Sequence, residues 1–241
     1  MTRNLSFEWI RASTLRSTWG FPLLGIAVVI AMTVVILVYG GSPEADMPDP
    51  TLRELLVNAA NPLGLVFATV ICAQAFGHEY RDGTMRLVLS EFPQRTRVFV
   101  AKLVVPALIV AAAVLVAAAG IWVVTMIRGD VGSGADAAGL VAVIARQVAL
   151  GVWWGLVVAA ITALMRNLAA GIVFALVLSA IVEGLLTTLL SSRISWLADA
   201  LPFSSATVWA SDVGVRTGLV ALAWAIALVV AAWAAFLRRD A

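Results

Sequence analysis

Residues 76–102 read FGHEYRDGTMRLVLSEFPQRTRVFVAK. The stretch holds the chain's one His and its one Lys among a run of Arg, Glu and Asp, and long apolar segments lie on both sides. Charge concentrated in one place of so apolar a chain raises two questions: what surrounds that place, and whether it performs chemistry.

The surroundings are answered by composition. The chain has 241 residues, of which 62% are hydrophobic and 12% charged, and its mean hydropathy is +1.02. A soluble domain is about half apolar and about a quarter charged. The excess suits a bilayer, where exposed Leu, Val and Ala carry no penalty. A spanning helix needs about 20 mostly apolar residues. Six windows meet this, at about 20–39, 55–77, 103–127, 140–165, 168–190 and 217–237. The second is weakened at its start by Asn58, Asn61 and Pro62. Barrel strands would be about half as long and alternate in polarity, so the expected class is an all-α integral membrane protein of one transmembrane domain. The first window reads as a retained anchor rather than a cleaved leader.

Six spans put both termini on one side. Eleven of the 16 basic residues fall on that side, among them Arg3, Arg11, Arg81, Arg86, Arg95, Lys102, Arg166, Arg238 and Arg239. Positive residues gather on the cytoplasmic face, so the termini and the elbow at 76–102 are expected in the cytoplasm. Residues 1–19 place Leu5, Trp9, Ala12 and Trp19 near one helical face, with Arg3, Arg11 and Arg16 available to lipid phosphates. The expectation is an amphipathic helix lying in the inner interface. Between the last two spans, Trp196, Leu197, Leu201, Phe203 and Trp209 are too apolar for a free loop. Pro202 divides that segment, and Ser195 with Ser204 or Ser205 can cap two short outer helices or a re-entrant turn.

Whether the elbow performs chemistry is answered by what it lacks. His78 is followed by Glu79, Tyr80, Arg81 and Asp82, so the zinc-protease pattern H-E-x-x-H is absent, and one His with one Cys makes no zinc site. No G-x-S-x-G accompanies the His. Lys102 follows Val100 and Ala101, so no phosphate-binding P-loop can form around it. Cys72 lies in an apolar run with no partner in the chain, which excludes an internal disulfide. No basic arm offers a nucleic-acid surface, and no metal or cofactor site is evident.

The elbow's own pattern is helical. Gly83 can take a positive φ, Thr84 can cap a short helix over 85–92, and Pro93 stops it. Met85, Val88, Leu89 and Phe92 follow i, i+3, i+4, i+7 spacing and make one apolar face, while Arg86 and Glu91 point elsewhere. Thr96 can cap the next helix, which carries Arg97 and Lys102 into the third span. Two readings stand: the helix rests on the membrane with its charges solvated, or its apolar face docks on a soluble partner and the charges orient it.

The order E-Y-R-D-G-T-M-R-L-V-L-S-x-x-P-Q-R-x-R-x-x-x-A-K resembles the first cytoplasmic loop of bacterial type-2 ABC transporter permeases. The resemblance rests on Glu79, Arg81, Gly83, Thr84, Leu87, Leu89, Pro93, Arg95 and Lys102, with Gln94 departing where the family often has a small residue. It implies that the loop is a coupling helix seated on a separate ATPase. It also implies a half-transporter in the bacterial cytoplasmic membrane, with two permease chains above two ATPase subunits that use ATP and Mg. Members generally export. An ATP-independent secondary transporter or channel, or a membrane assembly factor, is the alternative. The first of these would prefer more intramembrane ionisable residues and helices broken in matched halves.

Two further features lie inside the windows. Glu183, in the fifth, is costly unless it faces protein or water. It either lines the translocation path or pairs with Arg146 near the outer end of the fourth. Gly151 and Gly155 form a G-x-x-x-G that permits close helix approach, within one chain or between copies.

Overall fold

The computed structural model of the chain describes residues 2–14, 16–39, 62–92, 94–128, 137–191, 194–198, 200–211 and 214–239. The described residues are almost wholly helical, with no strand among them. In chain order the helices are α1 (Thr2–Thr14), α2 (Arg16–Tyr39), α3 (Pro62–Asp82), α4 (Met85–Glu91), α5 (Arg95–Arg128) and α6 (Ala137–Met165). They continue with α7 (Leu168–Leu176), a π-helical stretch (Val177–Glu183), α8 (Gly184–Ser191), α9 (Ser195–Ala198), α10 (Pro202–Ser211) and α11 (Val215–Arg239).

Among the described residues five helical stretches are long and apolar enough to cross a membrane: Thr18–Val38, Arg95–Ile127, Ala138–Met165, Leu168–Leu190 and Val215–Arg238. They match five of the six expected windows. Part of the remaining window, at 55–77, lies outside the described residues, and α3 ends in the polar run Gly77–Asp82. Its composition has a structural cause. α3 packs against α2, α5, α6 and α7, and Ala68, Thr69, Ile71, Cys72, Ala73, Gln74, Ala75 and Phe76 are all buried. A helix enclosed by helices needs small side chains that let backbones approach. α2, α5 and α11, by contrast, expose Leu23, Val35, Leu115, Val116, Leu222 and Val230 in the manner of lipid-facing surfaces.

Close approach recurs at the glycines. A Cβ on Gly155 would meet Cys72 Sγ of α3 at 2.6 Å, and one on Gly151 would meet Val110 and Val114 of α5 at 3.2 and 3.3 Å. The G-x-x-x-G of α6 therefore seats helices of its own chain. α5 runs 34 residues, about 51 Å at 1.5 Å per residue. This exceeds a hydrocarbon core of about 30 Å, and the helix carries Pro106 within it. The elbow and the chain's C-terminal helix meet at one end of the bundle, where Phe76, Phe99 and Phe236 pack with centroids 5.4–6.1 Å apart. Farther from the elbow Trp154 packs against Phe203 with ring centroids 4.7 Å apart, and Trp153 donates to Ala221 O at 2.7 Å.

Tight helix contacts predict a sharp contrast between glycines. A Cβ on Gly171 would fall on the Thr162 side chain and 2.9 Å from its backbone Cα, whereas Gly184 has open space around it. Gly171→Ala is expected to cost about 1–3 kcal/mol through overpacking and to lower the thermal midpoint. Gly184→Ala should leave it level or slightly higher. Melting of both variants in one detergent checks the difference.

Candidate functional site

The polar elbow is built by the way α3 stops. Gly83 takes φ 68°, and Thr84 N donates to Glu79 O at 3.0 Å. This is the C-terminal helix stop in which a left-handed glycine lets the next amide reach back over the last turn. Thr84 accepts from Val88 N at 3.1 Å but makes no side-chain cap bond to α4, because its backbone, at φ −84° and ψ −5°, is helical rather than in the extended region a capping side chain needs. The expected cap is thus replaced by a backbone stop. Pro93 lies outside the described residues. α5 begins at Arg95, one residue ahead of the expected Thr96 cap, with Gln94 O receiving Arg97 N and Val98 N.

The apolar face of α4 turns inward. Met85 and Phe92 belong to the main core, with Val88 and Leu89 packed against it. Phe92 also stacks on Phe7 of α1 at 5.2 Å, under the Arg3 guanidinium. This corrects the expectation that these four side chains form a free docking face: burying them within the chain is favoured as soon as α1 and the bundle lie within reach. The side left outward holds Arg86, Leu87, Ser90 and Glu91, and Leu87 is 70% exposed.

Beneath the elbow sits a cluster of four charges. Lys102, on α5, is wholly buried at 0% exposure, and Glu8 and Glu79 are nearly so. Lys102 Nζ pairs with Glu79 and reaches Ala75 O at 3.3 Å. It lies 2.9 Å from Glu8 Oε1, an ion contact without hydrogen-bond alignment. Its ammonium also stands 5.9 Å from the centre of the Phe76 ring. Arg11 pairs with Glu8 at 2.9 Å and with Glu79, and donates to Ala75 O at 3.2 Å. Two carboxylates and two cations balance, which is what makes their burial tolerable. Every charged partner is taken up in pairing, so the cluster fastens α1, α3 and α5 together. Among the described residues no group of three or more His, Cys, Asp or Glu could hold a metal ion.

Sequence reasoning found Glu79 and Lys102 but missed Glu8 and Arg11. Arg11, expected at lipid phosphates, is turned into the protein. The missed signal was Glu8 itself: the first acid of the chain, on one helical stripe with Leu5 and Ala12, which also face inward. Trp9 and Trp19, expected on the apolar face, are exposed.

The other expected residues are placed individually. Arg81 is exposed and pairs with Asp82 at 2.9 Å, which holds the Asp82 carboxyl below its usual range. Arg95 donates to Leu237 O at 2.8 Å and ties α5 to α11. Glu183 does not pair with Arg146. Its carboxylate accepts from Phe203 N at 3.0 Å, Ser204 N at 2.9 Å and Ser204 Oγ at 3.2 Å, so it caps α10 in place of the expected serine. Helix N-terminal amides compete well for a carboxylate. Pro202 occupies the first helical position, where no N–H is needed. Arg146 donates instead to Ala142 O of its own helix at 3.2 Å.

A family model described as ABC-2 family transporter protein matches residues 16–182, from α2 through the elbow and Lys102 to the π-helical stretch. The chain belongs to that family: it is a multi-pass membrane protein of the transporter permease class. A search of curated proteins finds no match. Permeases of this family work with ABC ATPase subunits.

Two measurements follow from the elbow's electrostatics. Lys102→Met leaves two buried carboxylates facing one Arg11 and is expected to cost about 3–5 kcal/mol. Adding Glu8→Gln should recover part of the loss, because the two sites are coupled. Arg81→Ala, removing an exposed pair, should cost about 0.5 kcal/mol or less. Melting of the four proteins tests this.

His78, as the one His, titrates without overlap in an NMR spectrum. Burial lowers its pKa below 6.5, and the neighbouring Arg81 charge lowers it further. Arg81 can only donate, so Nδ1, 3.3 Å away, accepts and the proton resides on Nε2. The unfolded chain takes up its proton first, so acidification through 6.5 removes stability until the folded pKa is reached. The imidazole midpoint should lie below 6.5, and Arg81→Gln should move it upward without restoring 6.5, since burial persists.

Proposed function

We propose that this chain is the membrane subunit of an ABC exporter and that α4 is its contact with a separate cytoplasmic ATPase. In this reading α3 completes a sixth span, both termini face the cytoplasm, and two permease chains sit above two ATPase subunits in a bacterial cytoplasmic membrane. ATP and Mg belong to the ATPase. The observation that carries the reading is the setting of Leu87. It is a large apolar side chain, 70% exposed, on a short helix braced from behind by Met85 and Phe92 and flanked by Arg86 and Glu91.

Nucleotide can drive the spans only by favouring one membrane conformation over another through a differential contact. A helix fixed between a left-handed stop at Gly83 and the buried charges under it transmits such a contact with little slack. Displacement of α4 reaches α1, α3 and α5 together, because Glu79 and Lys102 join them.

Leu87→Asp tests this without disturbing the core. A leucine buried at an interface contributes about 1.5–3 kcal/mol, and about 1.4 kcal/mol is tenfold in affinity. The variant should insert and melt like the parent, yet bind the ATPase at least tenfold more weakly and lose transport. Parent-like ATPase binding and export would sink the assignment of α4. Gly83→Val, which forces a β-branched residue to φ 68°, should lower transport by disturbing the same helix.

A further inference from the structure

Between α2, α3, α5 and α6 lies a partly open cavity of about 70 Å³. Its walls are apolar, from Ile26, Ile71, Val114 and Ile121 among others, and among the described residues Gln147 is the one polar side chain lining it. Gln147 is 4% exposed, and neither its Oε1 nor its Nε2 has a hydrogen-bond partner. Trp154 and Thr162, buried polar side chains elsewhere on α6, are handled differently. Trp154 Nε1 donates to Thr69 Oγ1 at 2.7 Å, and Thr162 Oγ1 donates to Val158 O at 2.9 Å. In an apolar interior an amide with both ends unmet is costly and calls for a partner. Among the described residues none is supplied.

We propose that this cavity binds a small uncharged amphipathic molecule, whose donor–acceptor group, such as a hydroxyl or amide, pairs with Gln147. Three observations define the ligand. Gln147 presents both a donor and an acceptor, so the ligand must answer both. Among the described residues no charged side chain lines the cavity, so a charged group would enter without compensation. The enclosed volume is about half of the roughly 150 Å³ cavity that admits benzene. It therefore takes the polar end and a few carbons, while the rest of the molecule follows the open side. Water alone fits less well: an ordered buried water makes about three hydrogen bonds, and here one amide would supply at most two.

The site lies within one subunit, and its test requires no ATPase, so it stands or falls apart from the coupling role of α4. The probe is a diazirine-bearing octanol, photolysed with the purified full-length chain in phosphatidylcholine nanodiscs and mapped by peptide mass spectrometry. Labels should concentrate on cavity-lining positions of α5 and α6. Octanol and octanamide should compete, and octane and octyltrimethylammonium should not. Gln147→Leu and the volume-matched Gln147→Met should each lower labelling at least tenfold, and Ala117→Phe, which fills the cavity, should abolish it. Thermal melting identifies which variants remain folded.

Native mass spectrometry distinguishes the source of the ligand. A molecule retained from the membrane and lost in Gln147→Met marks a lipid, and an empty parent that takes up octanol marks a soluble amphipath. The proposal is overturned if labelling survives both Gln147 substitutions, if octane competes as well as octanol, if labels fall on exposed Leu108, Leu115 and Val116 instead, or if no labelling is displaced by octanol.

Discussion

The ammonium of Lys102 is the point on which one end of this molecule depends. It is fully enclosed, and an enclosed cation requires carboxylates nearby. Glu79 of α3 and Glu8 of α1 supply them. Two carboxylates require a second cation, and Arg11 provides it. Glu8 and Arg11 come from α1, Glu79 from α3 and Lys102 from α5, so one set of buried charges specifies how these three helices sit together. Apolar packing could hold the same helices, but it would tolerate sliding more readily than a set of directed ion pairs.

The seating of α10 follows similar logic with different groups. Glu183 stands at the end of the π-helical stretch and gives its carboxylate to the first amides of α10. One acid thereby meets the unpaired donors of a helix start, and one helix start satisfies a buried acid. Trp153 and Trp224 fasten the same region through Ala221 O and Ala200 O. The contacts of α6 with α3 and α5, by contrast, rest on small residues and close backbones, and there the Gln147 amide has no hydrogen-bond partner among the described residues.

Much of this fold was legible because lipid-facing helices advertise themselves. Their Leu, Val and Ile runs marked four spans to within two residues, and the fifth, expected from 103, begins eight residues earlier at Arg95 because its first turns are polar; the elbow's glycine and apolar spacing located α4. Direction was harder to read. Spacing shows that Met85, Val88, Leu89 and Phe92 share a face, but not whether that face meets a partner or its own chain; the answer needed α1, whose Phe7 lies far away in sequence. α3 was the weakest window for a related reason. Helices packed on all sides replace bulky residues by Ala, Thr and Cys, and so lose the signal that hydropathy measures. Pairing across sequence was the least legible of all. Glu183 and Arg146 formed a plausible pair by depth, yet backbone amides reached the carboxylate first, and Glu8 paired with a residue 94 positions later.

Pro106 gives the long helix α5 a mechanical property of its own. Proline carries no N–H, so the carbonyl of Lys102, four residues earlier, receives no helical donor from it. α5 therefore bends most easily one turn beyond its buried charge. The portion from Arg95 to Lys102, locked to α1 and α3, can tilt as a unit while the membrane portion keeps its packing on α2 and α6. The helix is a jointed rod rather than a rigid one, and its joint sits beside its clamp.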